Sequence, residues 1–135
     1  MPYHAPQETL PVFLWRGDFE SAEVEVLHAE CFGHAVSQTD WLKQVTDFSV
    51  GRVCARWAGQ LIGFVNVAWD GGLHAFLLDS AVSRTFQRRG IGRKMICEAV
   101  LRTRQAGCEW LHVDFANHLQ SLYFEACGFQ ATHAG

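Results

Sequence analysis

The chain has 135 residues, of which 49% are apolar and 19% charged, and a formal net charge of −3. That composition belongs to a globular protein of about one domain, so residues 1–135 are read as one unit and an extended disordered chain is excluded. The longest apolar runs are strand-sized, far short of the ~18 residues a membrane helix needs. No basic region followed by an apolar stretch opens the chain, so no signal peptide is expected. The five cysteines, Cys31, Cys54, Cys97, Cys108 and Cys127, are scattered and odd in number, which suits a reducing, cytoplasmic setting.

Leu10 to Trp15 reads as a first strand, with Gly17-Asp18 as a turn. Ser21 is the expected N-cap of a helix in which Val24, Leu27, His28, Cys31 and Phe32 recur at helical spacing before Gly33 stops it. Asp18, Glu20, Glu23, Glu25 and Glu30 make this region acidic, either as solvated helix faces or as an electrostatic feature. His28, Cys31 and His34 do not have a common zinc spacing, and no metal is expected. A shorter helix is expected from Asp40 through Val45. Ser49 to Trp57 and Leu61 to Trp69 read as a hairpin about Ala58-Gly59-Gln60, and Asp70-Gly71-Gly72 leads into a strand from His74 to Val82. These three strands form an antiparallel meander. Asp79 interrupts an apolar run within the last of them, as either a structural hydrogen-bonding group or a catalytic carboxylate.

A glycine-rich loop follows. Gly90 and Gly92 flank Ile91, and a helix begins at once, with Met95, Ile96, Ala99, Val100 and Thr103 on one face and Ala106-Gly107 at its end. The first N–H groups of a helix lack intrahelical partners and sit at the positive end of its dipole, so this turn is a ready anion site. The glycines leave room for a phosphate, and Arg88, Arg89 and Arg93 add charge-assisted donors. Neither a Walker A loop nor a dinucleotide fingerprint fits the spelling, since Met95 stands where the latter requires a third glycine. A polyanion such as CoA would suit the basic cluster, as would a nucleic-acid backbone.

Trp110 to Phe115 reads as the next strand, with Leu111, Val113 and Phe115 on one face and His112 and Asp114 on the other. Asn117 is expected to cap a last helix with the stripe Leu119, Leu122, Tyr123 and Ala126. Gly128 ends it, and Phe129 begins a final short strand. A strand–helix–strand unit after an antiparallel meander gives a mixed, mostly antiparallel sheet flanked by helices, in the α/β (mixed α+β) class.

The loop resembles the acetyl-CoA loop of the GCN5-related N-acetyltransferases, Q/R-x-x-G-x-G/A, met by Gln87, Gly90 and Gly92. Asn117 and Gly128-Phe129 match the family's second signature in residue type and separation, and the element order matches across nearly the whole chain. The resemblance implies acetyl-CoA as acyl donor, lying between the strand that ends at Val82 and the strand Trp110–Phe115, which splay apart in the family. Backbone groups of Ser80, Ala81 and Val82 would hold the pantetheine arm and polarise the thioester carbonyl. Gln87 and the segment Arg88, Arg89, Gly90, Ile91, Gly92 and Arg93 would hold the pyrophosphate, and Asn117 would contact pantetheine.

It further implies direct attack of a primary amine on the thioester, with a base for the amine and an acid for the leaving thiolate. The family's acid, a Tyr, falls on Phe124 here, which is grouped with the cofactor-contacting residues; Tyr123 is its neighbour. The base position on the strand before the last helix is His112, and Asp79 is a further candidate. The first helix would help line the acceptor side, where its acidity favours a cationic amine. The family closes with two further antiparallel strands, for which the chain leaves room only in part. That shortened end leaves the last strand missing, supplied by a partner chain or not needed, and an unpaired edge makes a homodimer one expectation. The acceptor, a small molecule or a peptide, is not legible. A non-catalytic CoA-binding domain is the alternative, motivated by Phe124, and a nucleic-acid-binding protein ranks third.

Overall fold

The computed structural model describes residues 10–132. Five strands form one sheet in the order β1 (Val12–Trp15), β2 (Ser49–Trp57), β3 (Gln60–Trp69), β4 (His74–Val82) and β5 (Trp110–Val113). The first four are mutually antiparallel, and β5 joins β4 in parallel. The helix α3 (Ile91–Gln105) makes the crossover between the parallel pair, while α1 (Ser21–Phe32) and α2 (Trp41–Phe48) lie between β1 and β2 in the chain.

Helices cover both faces, so the central strands are apolar on both. Val53, Cys54 and Ala55 of β2 are fully buried. Of these, Val53 and Ala55 join Val65, Val67, Ala75, Leu77 and the α3 residues Met95, Ile96 and Ala99 in one core. Cys54 joins Phe64, Ala81, Val24 and Leu27 of α1, and Trp41 and Val45 of α2, in the other. Continuous apolar spelling is what a strand covered on both faces requires.

Several boundaries differ from those expected. The N-cap of α1 is Glu20, not Ser21. The Glu23 carboxylate reaches back to accept the Glu20 N–H at 3.0 Å, the return bond of a capping box. The Ser21 hydroxyl is thereby free to accept the Leu42 N–H at 2.9 Å, tying α1 to α2. Asp40 caps α2 through Lys43 N–H, and this helix runs on to Phe48.

The carboxy-terminal region departs furthest. β5 ends at Val113 instead of Phe115. The last helix is a 3₁₀ turn, Asn117–Leu119, followed by a π-helical segment, Ser121–Ala126. Asn117 is its first residue and Ala116 the cap. The final strand expected from Phe129 does not form among the described residues.

Two features of β4 position the site. Its pairing with β5 covers only His74 to Leu77, so Leu78 to Val82 continue with no strand on that edge among the described residues. Its pairing with β3 slips between Phe64↔Ala81 and Asn66↔Leu78, placing Asp79 and Ser80 opposite Val65 alone. Asp79 takes up the extra residue at φ 57°, a left-handed conformation that Asp tolerates better than most residues. The bulge reverses the side-chain alternation. Leu77 lies in the α3-side core and Ala81 in the α1-side core, although an unbroken strand would put both on one face.

Candidate active site

The loop between β4 and α3 begins where β4 has lost its β5 neighbour. Gln87 folds back to donate from Nε2 to the Val82 carbonyl at 3.0 Å, which the Cys31 thiol of α1 also reaches at 3.2 Å. Ser83 N–H continues the β3 ladder to Ile62 O at 2.8 Å. The strand end is thus fastened from three elements while its β5-facing edge stays open.

At the start of α3 the first intrahelical bond runs from Lys94 N–H to Gly90 O at 3.1 Å. The N–H groups of Ile91, Gly92 and Arg93 therefore have no acceptor within the helix. Gly90 sits at φ 80°, and a Cβ there would meet nothing within 4 Å. The space beside it is open to a ligand, and a side chain would enter that space. Arg88, Arg89 and Arg93 form no ion pair among the described residues, and the Arg89 guanidinium lies 5.3 Å over the Phe86 ring. Unpaired N–H groups, an open glycine and unneutralised arginines fit the pyrophosphate of CoA.

The bulge sends the Asp79 side chain toward α1 and the Ser80 side chain toward Tyr123, on opposite sides of β4. Asp79 Oδ1 lies 3.1 Å from His28 Nε2 of α1. On the α3 side, Tyr123 is 4% exposed within the core, stacked on Phe115 at 4.5 Å and edge-on to Phe129 at 5.6 Å. Burial raises its hydroxyl pKa above the usual phenol value, and the neighbouring Ser80 side chain pulls the other way. Phe124, at the place of the family's acid, packs edge-on against Phe115 at 5.2 Å.

His112 is placed differently. It pairs with Phe76, one step before the β4–β5 ladder ends, and its Nε2 lies 2.8 Å from His74 Nδ1. Its ring stacks with those of His74, Phe76 and Trp110. This aromatic wall lies on the sheet face opposite the α3-side core that holds Tyr123, so the structure separates His112 from Tyr123.

The acidic stretch is a solvated face only in part, with Asp18, Glu20 and Glu30 exposed and Glu23 and Glu25 turned inward. Glu25 is 2% exposed and accepts from Trp41 Nε1, Ser37 N and Ser37 Oγ. Those bonds, the Trp41 one foremost, hold its carboxyl below the usual value. Glu23 binds Arg56 through both oxygens at 2.8 and 2.9 Å, and Glu30 accepts the Arg84 N–H at 3.0 Å. These acids fasten α1 to the rest of the fold.

His28 and His34 take a role no spacing rule indicated. His28 Nδ1 lies 2.6 Å from His34 Nε2, and Asp79 is 51 residues away in the chain. No group of side chains suited to a metal occurs among the described residues. Nor is any helix among them long and apolar enough to cross a membrane.

Solved structures with this fold include a probable acetyltransferase from meticillin-resistant Staphylococcus aureus, 17% identical over 92% of each chain with a TM-score of 0.71. A GNAT family N-acetyltransferase from Escherichia coli in complex with CoA is 15% identical over 95% of this chain and 73% of that one, with a TM-score of 0.75. A GNAT family acetyltransferase from Brucella melitensis in complex with acetyl-CoA is 18% identical over 92% of this chain and 85% of its own, with a TM-score of 0.70. No curated protein matches the sequence. Residues 14–129 match the acetyltransferase (GNAT) family. With the open β4 edge and the glycine loop at the head of α3, that match makes the chain a member of the GNAT family of acetyl-CoA-dependent acetyltransferases.

Proposed function

We propose that this acetyltransferase moves the acetyl group of acetyl-CoA to a primary amine by direct attack, with Asp79 receiving the amine proton and the Tyr123 hydroxyl protonating the departing thiolate. The observation that carries the reading is the β4 bulge, which aims Asp79 and Tyr123's neighbour Ser80 at opposite sides of the open strand edge. An acid and a base on opposite sides of one strand can serve a bond that forms from one side and breaks toward the other.

Acetyl-CoA supplies an acetyl group activated as a thioester. This chain's residues hold and orient it. The N–H groups at the head of α3, with Arg88, Arg89 and Arg93, bind the pyrophosphate, and the β5-facing backbone of Ser80, Ala81 and Val82, which β5 leaves unpaired, binds the pantetheine arm and polarises the carbonyl. Gln87 braces the Val82 carbonyl, and Asn117 and Phe124 border the arm from the far side. Asp79 has one oxygen turned to His28, leaving Oδ2 for the incoming ammonium. His112, occupied by His74, forms part of the wall on the acceptor side and is not assigned the base role.

Calorimetry with acetyl-CoA on the wild type and on Gly90→Glu tests the donor site. The expected result is binding that is lost in a variant that remains folded; absence of binding to the wild type removes the reading. A primary-amine panel that includes aminoglycosides, motivated by a structural neighbour that is an aminoglycoside N-acetyltransferase in complex with CoA, tests the acceptor. With an active amine, Asp79→Asn and Tyr123→Phe each lower kcat by about 10²-fold or more, with little change in KM for acetyl-CoA. Phe124 in the place of the family's acid favours a non-catalytic CoA-binding domain as the second reading, and tight CoA binding with no turnover on the panel would support that instead.

A further inference from the structure

Cys97 and Cys127 bring their sulfur atoms to 3.9 Å across 30 residues of chain. The other three thiols are aimed at backbone carbonyls instead: Cys31 at Val82 O, 3.2 Å, Cys54 at Gly17 O, 3.6 Å, and Cys108 at Gly72 O, 3.9 Å. The two members of the pair belong to different elements. Cys97 is exposed on α3, whereas Cys127 is half-buried and directly follows the π-helical segment Ser121–Ala126. Closing the sulfurs to the ~2.05 Å of a disulfide asks for a shift of about 1.9 Å. α3 is fixed in the core by Met95, Ile96 and Ala99, so the segment that carries Cys127 makes most of that movement.

We propose that Cys97 and Cys127 are a redox-active dithiol, which a hydroperoxide converts to an intrachain disulfide that staples the Tyr123 segment to α3.

The step balances in atoms and electrons. The Cys97 sulfur, as thiolate, attacks one oxygen of hydrogen peroxide and the O–O bond breaks. That sulfur becomes a sulfenic acid, and the departing hydroxide takes up the Cys97 proton as water. The Cys127 sulfur then attacks the sulfenic sulfur. The S–S bond forms, the S–O bond breaks, and the hydroxide leaves with the Cys127 proton as a second water. Each sulfur has given up one electron, and both peroxide oxygens end as water. A small dithiol reverses the bond by exchange.

The surroundings divide the two roles. Cys97 is the sulfur that peroxide meets, because it is the exposed one. Burial, with the Cys97 sulfur beside it, pushes the Cys127 thiol up to about 11, so Cys127 stays protonated while its neighbour is reduced. Conversion of Cys97 to a neutral sulfenic acid removes the negative charge that its thiolate would set against Cys127. Arg93, one turn before Cys97 on α3, acts on Cys127 in the opposite sense and is unchanged by the oxidation.

The bond would join two parts of the cofactor site. α3 opens with the unpaired N–H groups and Arg93, and the Phe129 N–H donates to Tyr123 O at 2.8 Å, so Cys127 lies inside the turn that holds the Tyr123 backbone. The effect on catalysis rests on the proposed role of Tyr123; the dithiol does not.

The closing experiment treats the reduced full-length protein with one equivalent of hydrogen peroxide, without donor or amine. The expected product is lighter by two hydrogens and has the Cys97 and Cys127 peptides linked in mass spectrometry. Hydrogen exchange over residues 117–127 should slow by about tenfold or more, and dithiothreitol should reverse both changes. Cys97→Ser, on an exposed face, should abolish both, and Cys127→Ser should leave a sulfenic acid on Cys97 that dimedone traps. Absence of the linkage in the wild type, whether the thiols persist or Cys97 stops as a sulfenic or sulfinic acid, overturns the dithiol. A linkage with unchanged exchange overturns the staple.

The effect on catalysis is read with an amine that the panel identifies. Displacing an acid by about an ångström costs up to about 10²-fold in rate, so oxidation should lower kcat by about 10- to 100-fold and dithiothreitol should restore it. Cys97→Ser should keep the activity of the reduced protein and lose the response. Unchanged kcat on oxidation overturns control of the site by the bond. A mapped linkage in a protein that acetylates no amine when reduced overturns the acetyl-transfer reading and leaves the dithiol standing.

Discussion

Gly90 and Gly92 are one residue apart, and both face open or loosely filled space, yet they answer different demands. Gly90 needs its left-handed backbone at φ 80°, and an L side chain there costs about 1–2 kcal/mol from the backbone alone. Gly92 is already helical, and an added Cβ would meet only Val82 Cγ2 at 3.8 Å, an ordinary contact. Gly92→Ala is therefore expected to stabilise the fold by up to about 1 kcal/mol and to keep acetyl-CoA binding, as the G/A spelling of the motif allows. Gly90→Ala is expected to destabilise it. Denaturant titration of both variants checks the pair, and equal effects of the same sign would mean that backbone conformation is not what separates them. These glycines were legible in the sequence because a turn followed immediately by a helical pattern is a local signal. The His28–Asp79 contact was not, because 51 residues separate its members and a histidine on a helix advertises no partner.

Among the elements, β2 and β3 were legible because both of their faces are covered, and Val53 to Ala55 and Ile62 to Val67 are buried without a break. Where long-range pairing decides, local pattern gave less. The stretch Trp110 to Phe115 alternates throughout, yet β5 stops at Val113, where its pairing with β4 ends at Leu77, one residue before the slip in the β3–β4 register begins. The stripe from Leu119 to Ala126 likewise predicts an α-helix, whereas the π-helical winding of Ser121–Ala126 turns Tyr123 into the core and against Phe115 and Phe129. Close element packing also hid a glycine requirement on β2. A Cβ on Gly51 would overlap the indole of Trp15 on β1, and a rigid ring between strands cannot swing aside as a flexible side chain would. Gly51→Ala is expected to destabilise by about 1–3 kcal/mol, the range for overpacking. Thermal unfolding reads this, and recovery in Gly51→Ala with Trp15→Leu would identify the ring as the cause.

At the scale of the molecule, carboxylates rather than the sheet set the response to acid. Glu25 joins α1 to the segment before α2 and to Trp41, Glu23 joins α1 to Arg56 of β2, and Asp70 holds the turn into β4 through Gly72 and His74 N–H. Each has a pKa held below its ordinary value, by the Trp41 side chain foremost for Glu25, by Arg56 for Glu23 and by the Gly72 N–H for Asp70. A carboxyl whose folded-state pKa lies below its unfolded one contributes stability that is complete above the unfolded value and is lost as pH falls through the folded one. With ordinary values of 4.5 for Glu and 3.8 for Asp, unfolding midpoints should be insensitive to these groups above about pH 5 and fall steadily below about pH 4.5. Glu25→Gln should start lower at pH 7, having lost the charge on three hydrogen bonds, and then decline less steeply in acid because one linked proton is gone. Denaturant midpoints of both proteins across pH 7 to 3 measure the two slopes. Parallel slopes would place the acid sensitivity elsewhere. Convergence of the curves at low pH would show that the carboxylate joining α1 to α2 sets the acid limit of the helical layer carrying His28 and His34.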